Sequence, residues 1–146
     1  MIQQKDRDQI IAALQQDVSL ELGAIIQYLW HHYLAEGIES PPIIDLFEKL
    51  SRAEMKHMEK FSERIVALGG VPPTRIAPVK KGGSLKKMMR DDLGGERNAV
   101  DVYKKHITLA ANLGDTTTRL MLEEIVSEEE QHVDLWETTL GIRPGE

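Results

Sequence analysis

Two segments of this chain place a glutamate and, three residues later, a histidine on a helical stripe that should be apolar, and the whole pattern recurs at a fixed offset. Adding 75 to the position carries Glu21 onto Glu96, Tyr28 onto Tyr103, Glu54 onto Glu129 and His57 onto His132. Apolar neighbours obey the same shift, with Val18 on Leu93, Ile25 on Val100, Leu50 on Ile125 and Phe61 on Trp136. The chain is therefore a two-fold internal repeat in which each half supplies one Glu helix and one Glu-x-x-His helix. Few architectures can host such a set.

Apolar periodicity predicts four long helices, over about residues 4–36, 41–69, 85–113 and 116–140, and no strand. The first carries Leu14, Val18, Glu21, Ile25, Tyr28 and His32 at alternating steps of four and three. Pro41 marks the first position of the second helix and Gly69-Gly70 its end, while Ser84 and Asp115 stand as N-caps of the third and fourth. The links around Gly37 and Gly114 are short, so each half should be an antiparallel hairpin. Val71 to Gly83 is a longer, Pro- and Gly-rich link of thirteen residues. Fully extended it spans roughly 45 Å, about the length of a 28-residue helix, enough to cross the bundle and set helices two and three parallel. The expected fold is one all-α domain over residues 1–146, a four-helix bundle with a long crossover.

A lone Glu-x-x-His would carry little weight, because any histidine has roughly a one-in-ten chance of a glutamate three residues earlier, usually as a surface ion pair. Here all four glutamates and both histidines share seams with Leu, Ile, Val, Phe and Trp. Carboxylates converging in a core repel one another and are driven to take up protons unless a cation compensates. Two divalent ions supply +4 against the −4 of Glu21, Glu54, Glu96 and Glu129. Residues three apart on a helix face the same way and can grip one ion together. The competing interpretation is a metal-free polar network.

Composition removes other classes. The net charge is −6, and the basic doublets, Lys80/Lys81 and Lys86/Lys87 among them, make no extended basic face, which argues against a nucleic-acid binder. Without cysteine there are no disulfides, zinc–thiolate sites, iron–sulfur clusters or thiol catalysis. The N-terminal MIQQKDRDQI is polar, and no run approaches membrane-spanning length, so the cytoplasm is the expected compartment and a membrane is not an expected partner.

The stretches LELGAIIQYLWHHYLAEG, AEMKHMEKFSERIVALGG, MMRDDLGGE and EEEQHVDLWE resemble the bacterioferritins within the ferritin-like di-iron proteins, and the resemblance covers almost the whole chain. It implies two irons per chain, bridged by Glu54 and Glu129, with Glu21/His57 and Glu96/His132 as the terminal ligands. The chemistry implied is ferroxidation, Fe(II) to Fe(III), with O2 or H2O2 as oxidant. Tyr28 stands where bacterioferritins also carry a tyrosine, as an electron donor or simply as a buried phenol bonded to a ligand carboxylate. Met55 occupies the place of the axial haem ligand, one from each subunit across a two-fold interface, which implies haem b between two chains. The face Leu22, Ile26, Leu29, Trp30 and Tyr33 fits a homodimer with or without haem.

Departures accompany the matches. Bacterioferritins typically place Asp before each Glu of the Glu-x-x-His pairs, and here those positions hold Ala53 and Glu128, which should make the two metal positions unequal. Lys49 and Ala53 stand where family members bear an inner-surface His and Asp that help iron enter. After Gly141 only IRPGE follows, so no fifth helix is expected, and in the family that helix closes cage contacts. Three functions fit: an iron-storage ferroxidase, a rubrerythrin-like peroxidase or oxygenase that forms no cage, and a metal-free helical interaction module.

Overall fold

The structure, a computed structural model, describes every residue except Met1 and Gly145. Its elements are α1 (Gln4–Leu34), α2 (Pro41–Ala67), α3 (Leu85–Asn112) and α4 (Thr116–Leu140), with no strand among the described residues. The first helix stops short of Glu36 because Ala35 already has extended backbone (ψ 130°) and Gly37 turns at φ 101°. At the end of α2, Gly69 adopts φ 94°, and the N–H groups of Gly69 and Gly70 bond back to the carbonyls of Val66 and Ile65. Ser84 and Asp115 cap as their residue types suggest, accepting from the Lys87 and Thr118 amides at 3.1 and 3.0 Å.

Helix directions follow from the bonds that join them. Along α1 the partners on α3 run backwards, from Asp17 with His106 to His31 with Asp92, so these helices are antiparallel. Helix α1 is also antiparallel to α2 across the short link, where Ser51 donates to the Ile25 carbonyl and His32 meets that of Ile44. Helices α2 and α3 are therefore parallel, as the crossover requires. That segment lies along α1: Gln15 donates to the Val71 carbonyl, the Ala77 amide donates to the Ser19 carbonyl and the Lys80 amide to Gln27. A β-carbon at Gly23 would lie 2.9 Å from the Ala77 carbonyl oxygen, so only glycine lets the crossover lie this close.

The core is split into two apolar plugs. One gathers Leu14, Val18, Phe61, Ile65, Leu122 and Ile125, and the other Phe47, Leu50, Met88, Met89, Leu93 and Trp136. Each large side chain buried this way contributes about 1.5–3 kcal/mol, and together the plugs sustain the polar layer held between them. Among the described residues no helix is long and apolar enough to cross a membrane.

Candidate metal centre

The polar layer is built from one residue or pair on each helix. Glu21 comes from α1, Glu54 and His57 from α2, Glu96 from α3, and Glu129 and His132 from α4. All are buried apart from a small exposed edge on His132. They form two overlapping groups, Glu21/Glu54/His57/Glu129 and Glu54/Glu96/Glu129/His132, whose ligand atoms lie within 4.8 Å of one another. Glu54 and Glu129 belong to both groups and the other four to one each. His57 Nδ1 stands 2.9, 3.7 and 3.8 Å from Glu129, Glu21 and Glu54. His132 Nδ1 stands 3.0, 3.3 and 3.4 Å from Glu54, Glu96 and Glu129.

Proximity here is not hydrogen bonding. Glu21 Oε2, Glu54 Oε1, His57 Nδ1, Glu96 Oε2, Glu129 Oε1 and His132 Nδ1 are buried and have no partner of acceptable geometry. One orphaned atom on each of the six residues, in two groups whose ligand atoms lie within 4.8 Å of one another, is what a pair of cations needs, since buried polar atoms otherwise find partners. The donor set of four carboxylates and two imidazoles suits iron or a similar divalent metal.

Without a cation, protons do its work. Burial, and then the charges of Glu21, Glu96 and Glu129, hold the Glu54 carboxyl well above its ordinary range. Burial and the neighbouring Glu129 push Glu96 up to about 8. Burial opposes charge on His57, but Glu129 and Glu21 overwhelm it and raise the ring to about 11; Glu129 and Glu96 raise His132 to about 10 in the same way. Burial would likewise raise Glu129, yet its contacts with both imidazoles win and hold it below the usual carboxylate range. These are the protons that metal binding must displace.

Tyr28 and Tyr103 close the layer on the α1–α3 side. Tyr28 Oη donates to Glu96 at 2.7 Å and accepts from Trp136 Nε1 at 2.8 Å, with the two rings stacked at 6.3 Å. Tyr103 Oη donates to Glu21, and its ring meets Phe61 edge-on at 5.2 Å. Burial and the facing carboxylates keep both phenols protonated, far above the ordinary tyrosine range. A cavity of about 210 Å³ lies beneath Ala77 and Pro78, between α1 and α3, and reaches all four glutamates and both tyrosines.

Sequence reasoning missed a second rank of pairs. His31 Nδ1 meets Asp92 at 2.7 Å and His106 Nδ1 meets Asp17 at 2.9 Å. Both pairs obey the offset of 75 that relates the glutamates, 17 to 92 and 31 to 106, so the signal was present. The α1 seam consequently ends on fully buried His31, whereas His32 lies at the side of the bundle against the Ile44 carbonyl. Burial pushes Asp17 up to about 6, against the pull of His106. Met55 lies apart from the metal cluster, 42% exposed like Trp30 at 43%.

Comparison with known proteins agrees with this geometry. The ferritin-like domain family matches residues 11–143. The bacterioferritin of Brucella melitensis is 30% identical over 139 residues, covering 94% of this chain and 86% of that protein. The Desulfovibrio desulfuricans bacterioferritin, solved with its diiron site in different catalytic states, superposes with a TM-score of 0.90 at 27% identity, covering 94% of this chain and 81% of that one. The Rhodobacter capsulatus bacterioferritin, solved with a metal-free dinuclear site and haem iron, gives 0.88 at 30% identity, covering 92% and 84%. A repeated Glu and Glu-x-x-His layer in a crossover four-helix bundle, with relatives of this identity along nearly its whole length, places the chain in the ferritin-like family, among the bacterioferritins.

Proposed function

We propose that the chain is a ferroxidase of bacterioferritin type, which takes Fe(II) as substrate and oxidises it to Fe(III) with O2 or H2O2, for iron storage or detoxification in the cytoplasm. The observation that carries this reading is the convergence of six orphaned buried atoms, one from each of the six candidate ligands. In this proposal Glu54 and Glu129, common to both groups, would help hold both iron ions, with Glu21 and His57 holding one and Glu96 and His132 the other. Bound there, the ferrous pair supplies two electrons to the oxidant.

The protein's own groups do the rest. Tyr28 keeps its phenolic proton and donates it in a hydrogen bond to Glu96, and it is backed by Trp136, so it is the aromatic group placed to give a further electron. The cavity beside the carboxylates is smaller than the roughly 300–1,000 Å³ of pockets for drug-sized ligands, which favours ions and small oxidants over an organic substrate. Partly exposed Trp30, Tyr33, Leu34 and Met55 on the outer side of α1 and α2 support a homodimer, with haem b between two Met55 side chains as the family implies.

Anaerobic Fe(II) titration followed by rapid mixing with O2 or H2O2 tests the reading. Two irons per chain, oxidised faster than free Fe(II), are expected. Binding of none would leave the metal-free interaction module. Oxidation that needs peroxide and an added reductant, in a protein whose mass in solution is that of a dimer, would favour the rubrerythrin-like peroxidase. Half a haem per chain after reconstitution, lost in Met55→Leu, is the expected haem result.

A further inference from the structure

From the hydrogen bonding around the two imidazoles we infer that Glu128 is a positioning residue for His57 that makes the two metal positions unequal, the Glu21/His57 position binding first and the Glu96/His132 position staying the exchangeable one. The inference rests on the di-metal reading above and deepens it. His57 Nε2 lies 2.5 Å from Glu128 Oε2. In a neutral ring that bond fixes the proton on Nε2 and leaves the Nδ1 lone pair turned into the cluster, ready for a cation.

The other imidazole lacks this support. The offset of 75 that pairs His57 with His132 pairs Glu128 with Ala53, which offers no acceptor. Among the described residues no group bonds to His132 Nε2; only Nδ1 has carboxylate neighbours. The ring borders an open cleft whose lining includes Asp45, Glu48, Glu128 and Gln131 beside Lys49 and Ala53, yet none of these bonds to it, and 12% of its side chain is exposed against 1% for His57. An unanchored imidazole must lose rotational freedom and settle its tautomer when it ligates. Loss of such an outer partner typically costs about 10- to 100-fold in metal affinity.

Cobalt(II), which stays divalent, is the probe. Crystals of the full chain soaked at limiting Co(II) should show anomalous occupancy at the Glu21/His57 position first, with the second position needing about 10- to 100-fold more metal. Glu128→Ala should weaken the first position until the two match, and Ala53→Asp should strengthen the second. A general loss of stability would lower both occupancies and leave their ratio alone, so the ratio separates positioning from folding. Equal filling in the parent at every loading, or an unchanged ratio in both variants, overturns the inference while leaving the di-metal reading intact. Cobalt at neither position would overturn the di-metal reading itself.

Discussion

The half made of α1 and α2 and the half made of α3 and α4 agree where they share a charge and differ where they meet something else. Glu21 and Glu96, the two Glu-x-x-His pairs, the two tyrosines and the Asp17/Asp92 and His31/His106 pairs are all duplicated. The glutamates, their histidines and the tyrosines meet in one crowd of buried acids, and in each half an Asp–His pair flanks it, so both halves solve one electrostatic problem alike. The surroundings diverge. His31 is sealed by the Lys80 carbonyl at 2.9 Å, and Asp92 takes a second bond from Gln27 at 2.8 Å, whereas among the described residues His106 and Asp17 have only each other in the corresponding roles. The crossover explains this difference: it exists once and lies along α1, so α3 has no equivalent cover. Symmetry in the sequence is broken by a single connection.

Glu54 and Glu129, the residues common to both groups, offer the hardest test of equivalence. Glu54→Ala and Glu129→Ala should each lower the rate of Fe(II) oxidation to that of free iron, a loss of at least about 100-fold, because each removes an oxygen shared by both positions. Stopped-flow oxidation measures this, and a parent-like rate in either variant would break the dinuclear assignment. Metal-free protein should not be destabilised by Glu54→Ala, since removing that buried acid relieves repulsion from Glu21, Glu96 and Glu129, whereas Glu129→Ala removes the anion that both imidazoles face and should cost stability.

Acid–base behaviour comes next in size. Glu96 has its folded pKa raised from 4.5 to about 8, so the stability it contributes is present below about pH 4.5 and is lost as pH rises through 8. Glu54 and Asp17, also raised, act in the same direction. The histidines, raised from 6.5 to about 11 and about 10, continue the loss at higher pH. Glu129 is lowered, so its contribution is constant above about pH 4.5. Metal-free protein should therefore lose thermal stability from pH 5 to 9, by an amount on the order of a few kcal/mol. Metal-loaded protein should lose less, and Glu96→Gln should flatten the part of the metal-free curve below pH 8. A metal-free melting temperature that rises over this range would contradict the electrostatic account.

The tyrosines sharpen the comparison at smaller scale. Tyr28→Phe strands both the Trp136 N–H and a Glu96 oxygen, whereas Tyr103→Phe strands only a Glu21 oxygen. A buried group left unpaired costs about 1–3 kcal/mol, so Tyr28→Phe should destabilise more in urea unfolding. It should also slow repeated turnover with iron while Tyr103→Phe does not. Equal effects on both measurements would show that Trp136 adds nothing.

Much of this was legible because helix period and residue chemistry conflicted openly at the glutamates. A carboxylate among Leu and Phe cannot be overlooked, and the crossover's length settled which helices run parallel. Asp17 and His31 escaped because each lies one step before Val18 and His32 on the α1 seam, where a polar residue on a long helix raises no alarm, and Asp92 and His106 hold the corresponding places on α3. Their burial depends on α1 pressing on α3, a contact between separate hairpins that local periodicity does not encode. Helix ends shifted by one or two residues because the glycines that stop them act through backbone angle. The reach of Glu128 across to His57 depended on side-chain geometry between α2 and α4.

The placement of the chain's two tryptophans gives it a pair of built-in optical reporters. Trp136 is wholly enclosed, stacked on Tyr28 and two hydrogen bonds from Glu96, so its emission should be blue-shifted and should dim if paramagnetic iron fills the bundle. Trp30 stands half in solvent beside Tyr33, on the face proposed to meet a second copy, so its red-shifted emission and its access to iodide should change with protein concentration and ignore the metal. Replacing either indole with phenylalanine leaves a chain whose remaining fluorescence follows loading alone or self-association alone.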